Sequence, residues 1–492
     1  MAARKLISIL IPAYNEEIHL EALLERVLAA RLPDGFGREI VLVDDGSTDE
    51  TGAIAARWAA AHPGLVRLFT HDRNLGKGAA IRLAVENAAG SISIIQDADL
   101  EYDPGDYPRL LKPLIEHKAD AVFGSRFGFS EERRVLLYWH SVANRFLTGL
   151  CNMVSDLNLT DMMTGYKAFR TSLIRTIPLR CRGFGIEPEI TVKLAQRGAR
   201  IYEVPVSYHG RGYAEGKKIR LGDALRTPFV ILWHGLRRDV YLNPGARILD
   251  ALASTPRFNE WMASVVAPHL GSRVLEIGAG IGNLSALLSR GRKRYTATDL
   301  DAEHVERLAV RFASNPRIST HLLDAADAAG FEPLTGTVDS VVCLNVLEHV
   351  EDGRAGFRNL FNLIEPGGRA VVLVPRSMRL FGTLDEVLGH CRRYRRDELD
   401  ARMREAGFVV ERMLDFNRLT VIGWWVNGRL LRRRSFGRFQ LAVFDRLVWL
   451  WKRLEPLLPW GGVSLIAVGR KPWPPASNAD QNGPDTPARD FE

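Results

Sequence analysis

Apolar residues follow two rhythms along this chain. Leu6–Pro12, Glu39–Val43, Val66–Thr70, Ile92–Gln96 and Ala121–Gly124 are short, mostly apolar runs of strand length. Between the first of them, Glu16–Ala30 spaces Ile18, Leu20, Leu23, Leu24, Val27 and Leu28 at helical intervals, and Thr48–Ala61 is again helical. The β-α-β-α order over residues 5 to about 210 predicts an α/β domain with a largely parallel sheet. Ligands of such sheets bind at the carboxyl ends of the strands, and the polar and glycine-rich clusters of this segment follow strands.

The alternation restarts at Arg273. Val274–Ile277, Tyr295–Thr298, Val338–Leu344 and Arg369–Val374 read as strands and Asn283–Arg290 as a helix, with motifs unlike those of the first segment. That predicts a second, different α/β domain. Residues 212–260 form a basic connector in which Asn243-Pro244-Gly245 is a turn signal and candidate boundary. From Leu441, the apolar positions Phe444, Leu447, Val448, Trp451, Leu454 and Leu458 predict one amphipathic helix. The composition from Lys471 onward predicts a disordered tail. The expected organisation is a first domain over residues 1–240, a linker over 241–260, a second domain over 261–415, a basic aromatic segment over 416–470 and the tail over 471–492.

Composition narrows the classes. The chain has 492 residues, 46% hydrophobic and 25% charged, which fits multidomain globular structure. Its four cysteines are scattered, which excludes a disulfide scaffold or zinc ribbon and fits a reducing compartment. A net charge of +8 points to an anionic partner. Nucleic acid lacks any recognition motif here. No run reaches the roughly 20 apolar residues of a membrane span, and the N-terminal run is too short for a signal peptide. The chain is therefore expected to be cytoplasmic, peripheral at the cytoplasmic membrane face. Trp424, Trp425, Arg429, Arg432, Arg433, Arg434, Trp449, Trp451, Lys452 and Trp460 are the candidate interfacial segment.

Candidate chemistry of the first segment lies in three clusters. Asp97-Ala98-Asp99-Leu100-Glu101 places two carboxylates one residue apart at a strand end, a set suited to Mg²⁺ or Mn²⁺ shared with diphosphate oxygens. Asp44-Asp45-Gly46-Ser47 offers acceptors for a base or ribose, and Asn74-Leu75-Gly76-Lys77-Gly78 offers backbone donors and a cation. Together with Ile11-Pro12-Ala13-Tyr14-Asn15-Glu16, Thr160–Lys167 and Gly183–Leu194, they resemble family 2 glycosyltransferases of the GT-A fold, and within them the polyprenyl-phosphate sugar synthases. The resemblance covers about residues 5–235. It implies that Pro12, Tyr14, Glu16, Asp44, Asp45 and Lys77 hold a nucleotide-sugar donor, with Asp97 also on its diphosphate. Asp97, Asp99 and Glu101 would bind metal. Arg126, His140, Asn144, Lys217 and Lys218 would meet an acceptor phosphate. A polyprenyl phosphate is already an anionic nucleophile and needs no base. A hydroxyl acceptor would need one, for which Asp161, Glu187 and Glu189 are candidates.

In the second segment Glu276-Ile277-Gly278-Ala279-Gly280-Ile281-Gly282 joins a strand to a helix, with Asn283 where a dinucleotide site would have its third glycine. Asp299, Asp324 and Asn345 follow the next strands. This resembles class I S-adenosylmethionine-dependent methyltransferases over about residues 255–415, a Rossmann-like fold. It implies cofactor contacts at Glu276, Gly278, Gly280, Asp299, Asp324 and Asn345. His349, His390 and Tyr394 are candidate bases. The expected function is inverting, metal-dependent sugar transfer to a polyprenyl phosphate followed by methylation of the glycolipid or its sugar. The alternative is transfer to a hydroxyl, with a second domain that only binds the cofactor or a membrane.

Overall fold

The computed structural model describes residues 5–128, 138–210, 221–237, 239–242, 248, 251–252, 255–327 and 336–474. The chain divides into two compact units, Met1–Asn243 and Pro244–Glu492.

The N-terminal unit is built on a seven-stranded sheet of β1 (Lys5–Ala13), β2 (Phe36–Asp44), β3 (Val66–Thr70), β4 (Ile92–Ile95), β5 (Ala121–Ser125), β6 (Lys167–Arg170) and β7 (Ile201–Pro205). Their order is β3-β2-β1-β4-β6-β5-β7, with β6 antiparallel to both neighbours and the other pairs parallel. Alternate residues feed opposite core layers. Ile7, Ile9 and Ile11 join one cluster while Leu10 joins the other; Ile40 and Leu42 oppose Val41 and Val43. Both faces are covered, which is why these strands read as continuous apolar runs. The order reverses between β1 and β4, and the register aligns the strand ends: Ala13 lies beside Asp44, and the Gln96 N–H reaches Leu10 O at 2.9 Å. The loops after β1, β2 and β4 therefore leave the sheet along one edge.

The C-terminal unit has β8 (Arg273–Ile277), β9 (Arg294–Asp299), β10 (Ile318–Leu322), β11 (Val338–Leu344), β12 (Ile364–Pro375), β13 (Val409–Phe416) and β14 (Ser464–Arg470). The order is β10-β9-β8-β11-β12-β14-β13, parallel except that β14 runs antiparallel between β12 and β13.

Three expectations differ from this architecture. Residues 416–470 are not separable from the preceding domain, because β14 completes its sheet: Leu465 and Ala467 enter one core layer, Ile466 and Val468 the other. The single helix expected from Leu441 is two, Arg438–Arg446 and Val448–Leu454. The indole N–H of Trp451 donates to Phe444 O at 3.1 Å, taking the carbonyl that a continuous helix would give to the Val448 N–H. The expected linker ends in the helix Pro256–Val266, whose Phe258 and Trp261 pack on Phe416. Of the expected tail, Lys471 is tied to the sheet through Gly368 O at 2.9 Å, and residues 475–492 lie outside the described residues, as do Asn243, Pro244 and Gly245.

Candidate active sites

In the N-terminal unit the loop after β4 carries Asp97 and Asp99, and Lys77 begins the helix Lys77–Asn87. Lys77 Nζ lies 2.7 Å from Asp97 Oδ1 and 3.1 Å from Glu187 Oε1. Glu187 Oε2 in turn accepts from Lys167 Nζ, which also donates to the carbonyls of Met162 and Thr164. Two ammonium groups and two carboxylates thus alternate, with Lys167 and Glu187 buried beneath and Asp97 partly open. Burial, the Asp99 charge and Glu187 raise Asp97 above the ordinary aspartate range, opposed by Lys77. Burial alone would raise Glu187, but Lys167 and Lys77 overcome it and hold the carboxyl below its ordinary value. Glu187 is therefore an ionised partner of two lysines, not a free base. Asp97 also requires Gly165: a Cβ there would stand 2.2 Å from Asp97 Oδ2. Asp99 Oδ1 accepts the Glu101 N–H at 3.1 Å, and Glu101 Oε2 accepts the Tyr208 hydroxyl at 2.8 Å.

The donor residues expected from the first two loops separate by role. Pro12 pairs with Val43 one residue before the end of β1, and Tyr14 follows the strand; both are partly exposed. Glu16 is buried, with its N–H on Thr51 Oγ1 at 2.8 Å and its carboxylate 3.1 Å from His19 Nδ1. Asp44 Oδ1 accepts the Ser47 N–H at 3.1 Å. Asp45 is tied to the protein. It is buried and accepts Leu75 N–H at 3.0 Å, Gly76 N–H at 2.7 Å and His71 Nδ1 at 2.7 Å. The Gly78 N–H goes to Arg182 O at 2.6 Å. The backbone donors expected from Leu75, Gly76 and Gly78 are therefore satisfied internally, and Lys77 contributes the cation.

Arg126 follows β5 and forms a two-pronged pair with Asp161, Nε–Oδ2 at 2.7 Å and Nη2–Oδ1 at 2.8 Å, over the Tyr208 ring. Asn144 Nδ2 joins the same carboxylate at 3.1 Å. Burial would raise Asp161, but Arg126 overcomes it and holds the carboxyl low. Asp161 is fully buried and paired, so it is not placed to take a proton from an acceptor. Glu189 accepts from Arg180 N–H, Cys181 N–H and Lys193 Nζ, the last at 2.7 Å, and is equally committed. His140 lies one turn before Asn144 on the helix Tyr138–Ser155. Lys217 and Lys218 lie outside the described residues.

In the C-terminal unit the strand order reverses between β8 and β11, where open sheets bind ligands. Gly278, Gly280 and Gly282 have φ of +74°, +55° and +80°. A Cβ on Gly278 would meet Val346 at 2.2 Å, whereas one on Gly280 would meet nothing within 4 Å. The turn is thus packed on the β11 loop at one glycine and faces open space at the next. Asp299 at the end of β9 anchors it, accepting Gly280 N–H at 2.7 Å, Asp301 N–H at 3.0 Å and His304 Nδ1 at 3.1 Å. Asp324 is exposed, and Asn345 is exposed with φ +55° at the end of β11. Glu276, expected at the cofactor, also supports the turn. It is buried and accepts Ser285 Oγ and Tyr295 OH, the latter at 2.9 Å, so it braces the turn from below.

Comparison with known proteins fits this geometry. The model for glycosyl transferase family 2 matches residues 8–177, and a methyltransferase domain model matches residues 246–412. Undecaprenyl-phosphate mannosyltransferase of Micrococcus luteus is 31% identical over 247 residues, 46% of this chain and 96% of that protein. The chain belongs to glycosyl transferase family 2. Dodecaprenyl-phosphate galacturonate synthase of Rhizobium johnstonii is 28% identical over 211 residues, 43% of this chain. Dolichol-phosphate mannosyltransferase of Pyrococcus furiosus is 27% identical over 213 residues, again 43% of this chain. The chain spans 61% and 58% of those two relatives' lengths. A putative Haloferax volcanii methyltransferase, solved with its Trm112 activator, aligns at 18% identity over 47% of this chain and 98% of that chain, with a TM-score of 0.34.

The chain is thus a family 2 glycosyltransferase followed by a methyltransferase domain, two mixed α/β sheet domains in that order. The family 2 domain gathers Lys77, Asp97 and Glu187 into one cluster and Arg126, Asn144 and Asp161 into another. Lys167, Gly165 and Tyr208 support them without having been singled out as site residues. Lys167 opens the four-residue strand β6, which Arg170 closes. In the methyltransferase domain Glu348, with Asn345 and His349, follows the strand β11. It is fully buried, and burial pushes its carboxyl up to about 8.

Proposed function

We propose that the family 2 domain transfers a sugar, with inversion, from a nucleotide-sugar to a polyprenyl phosphate. One observation carries this reading: Asp161, Glu187 and Glu189, the carboxylates suited to deprotonate a hydroxyl, are each committed to a cation, Arg126, Lys167 and Lys193 respectively. An acceptor that arrives as an anion needs none of them. Arg126 with Asn144 would orient its phosphate, and Lys77 would meet the donor diphosphate beside Asp97. Asp97 and Asp99 fit a hard divalent ion, Mg²⁺ or Mn²⁺: both donors are oxygen, and the side-chain-free Gly165 leaves room at Asp97 Oδ2. When bound, such an ion neutralises charge on the departing diphosphate. The test supplies nucleotide-sugars with polyprenyl phosphate or polyprenol and reads the lipid by mass spectrometry. Product from the phosphate alone is expected. Equal product from the alcohol would overturn the reading.

The methyltransferase domain is proposed to use S-adenosylmethionine and to methylate the glycolipid or its sugar. The open space at Gly280, the Asp299 carboxylate and the exposed Asn345 fit that cofactor, which supplies the methyl group. Calorimetry of the wild type and Asp299→Ala tests it: equal, null heats in both would refute cofactor use.

The acceptor also implies a membrane surface. Among the described residues no helix is long and apolar enough to cross a membrane. The helix Tyr138–Ser155 exposes Trp139 and Phe146 at 76% and 64%, and the helix Leu221–Leu236 packed on it exposes Phe229 and Leu236 at 75% and 87%. The helix carrying Asn144 thus carries this apolar face too, which supports peripheral association there. In liposome flotation, Trp139→Ala with Phe146→Ala should release the chain; unchanged flotation would refute this placement.

A further inference from the structure

The methyltransferase domain holds a cluster that neither its glycine turn nor Asp299 uses. Glu348, His349 and His390 each bring one ligand atom to within 4.8 Å of the others. Glu348 is fully buried, and both carboxylate oxygens lack a hydrogen-bond partner. An uncompensated buried carboxyl is costly, so these oxygens call for a cation or a proton. Both histidines are already oriented. His390 Nδ1 sits 2.8 Å from the Asp385 carboxylate, and His349 Nδ1 sits 3.0 Å from Gly389 O. These oxygens only accept, so both Nδ1 atoms carry the proton and both Nε2 atoms keep a lone pair. His390 Nε2 lies 3.8 Å from Glu348 Oε1. Asp385 is itself fixed by Arg393 Nε at 2.7 Å, the carboxylate–histidine support common at metal sites.

We propose that Glu348, His349 and His390 bind a first-row divalent metal ion. Two imidazole nitrogens and one carboxylate suit Zn²⁺, Mn²⁺ or Fe²⁺ over Mg²⁺ or Ca²⁺. Three protein donors leave coordination positions open. His349 is exposed, and Asn345, a candidate cofactor contact, begins the same loop. Resting on the methyltransferase reading, those positions take a hydroxyl oxygen of the methyl acceptor. Its proton passes to water, its lone pair forms the C–O bond, and the S–CH₃ bond breaks with its electrons left on sulfur.

The test titrates Co²⁺ into the chelator-treated full chain and follows visible absorption. One cobalt with nitrogen-ligand bands is expected. Affinity should fall at least tenfold in Glu348→Gln, in His390→Ala and in His349→Ala, the exposed position that keeps the test valid if a buried variant unfolds. Asp97→Asn, which alters the oxygen-donor site of the other domain, should leave these bands unchanged. Bands that persist in the variants would overturn the proposal, as would no nitrogen-bound cobalt at all, or a thiolate charge-transfer band assigning the ion to Cys181, Glu189 and His234 of the N-terminal unit, whose ligand atoms also lie within 4.8 Å of one another. S-adenosylmethionine binding is measured in parallel. Its absence in wild type would sink the methyltransferase reading while leaving the metal site standing.

Discussion

Replacing Glu187 with glutamine separates a structural carboxylate from a catalytic one. The structure locates the damage. Lys77 keeps Asp97 at 2.7 Å and stays paired. Lys167 is fully buried and, with Glu187 gone, keeps the carbonyls of Met162 and Thr164 and the face of the Phe123 ring, none of which carries a charge. Removing one member of a buried pair costs about 3–5 kcal/mol, because the other charge is left without compensation. Glu187→Gln should therefore destabilise the N-terminal unit by about that amount. Lys167→Met deletes the stranded charge at similar length, so the double variant should recover to within about 1–2 kcal/mol of wild type. Two units in one chain preclude a single unfolding transition. Hydrogen exchange of peptides spanning Lys167–Arg170 and Ile186–Gln196 reads the local free energy instead. Under conditions where the variant is folded, glycosyl transfer should fall less than about tenfold, against the 10²–10⁴ expected from loss of a general base. A cost below about 1 kcal/mol in Glu187→Gln, or a double variant no better than the single, would refute the pairing argument. A hundredfold loss in the folded enzyme would restore Glu187 as a candidate base.

Asp161 gives an acid signature. Its folded value lies below the ordinary 3.8, so its contribution is present above that pH and is lost as pH falls through the folded value. Exchange protection of the helix Tyr138–Ser155 should differ between wild type and Asp161→Asn at neutral pH and converge in acid; a gap that persists in acid contradicts the assignment. Gly278→Ala should unfold the methyltransferase domain or lower its melting temperature sharply, since the new methyl would lie 2.2 Å from Val346 at φ +74°. Gly280→Ala meets no neighbour within 4 Å, so it should cost only about 1–2 kcal/mol of backbone strain. Calorimetry should nevertheless show at least tenfold weaker S-adenosylmethionine binding; unchanged affinity would argue that the open space is not the cofactor's. Asp45→Ala should raise the donor KM while leaving bound-state turnover closer to wild type, because it frees the loop that carries Lys77; an unchanged KM would contradict that role.

The parallel strands were legible because burial on both faces leaves uninterrupted apolar runs, and the site loops because they end those runs. What composition could not distinguish was an acid that meets a ligand from one that meets the protein. Asp44 and Asp45 are adjacent and alike in sequence, yet Asp45 alone receives two backbone N–H groups of a loop thirty residues on. Glu276 reads in sequence only as a cofactor acid, yet one of its oxygens takes Ser285 and Tyr295. Lys167 hid because its charge is cancelled by Glu187, twenty positions away on another element. β14 was obscured by its neighbourhood: a short run behind a basic, tryptophan-rich stretch reads as surface until its two partner strands are known.

That last strand has a consequence for synthesis. β14 lies between β12 and β13, so both must wait, with hydrogen-bonding edges unmet, until residues 464–470 have left the ribosome. The glycosyltransferase domain can complete its sheet while translation continues, whereas the methyltransferase sheet closes by inserting its latest-made strand. A nascent chain stalled before Ser464 would thus display two exposed edges ready for wrong pairing. Such chains should depend on chaperones in a way that chains released after Arg470 do not.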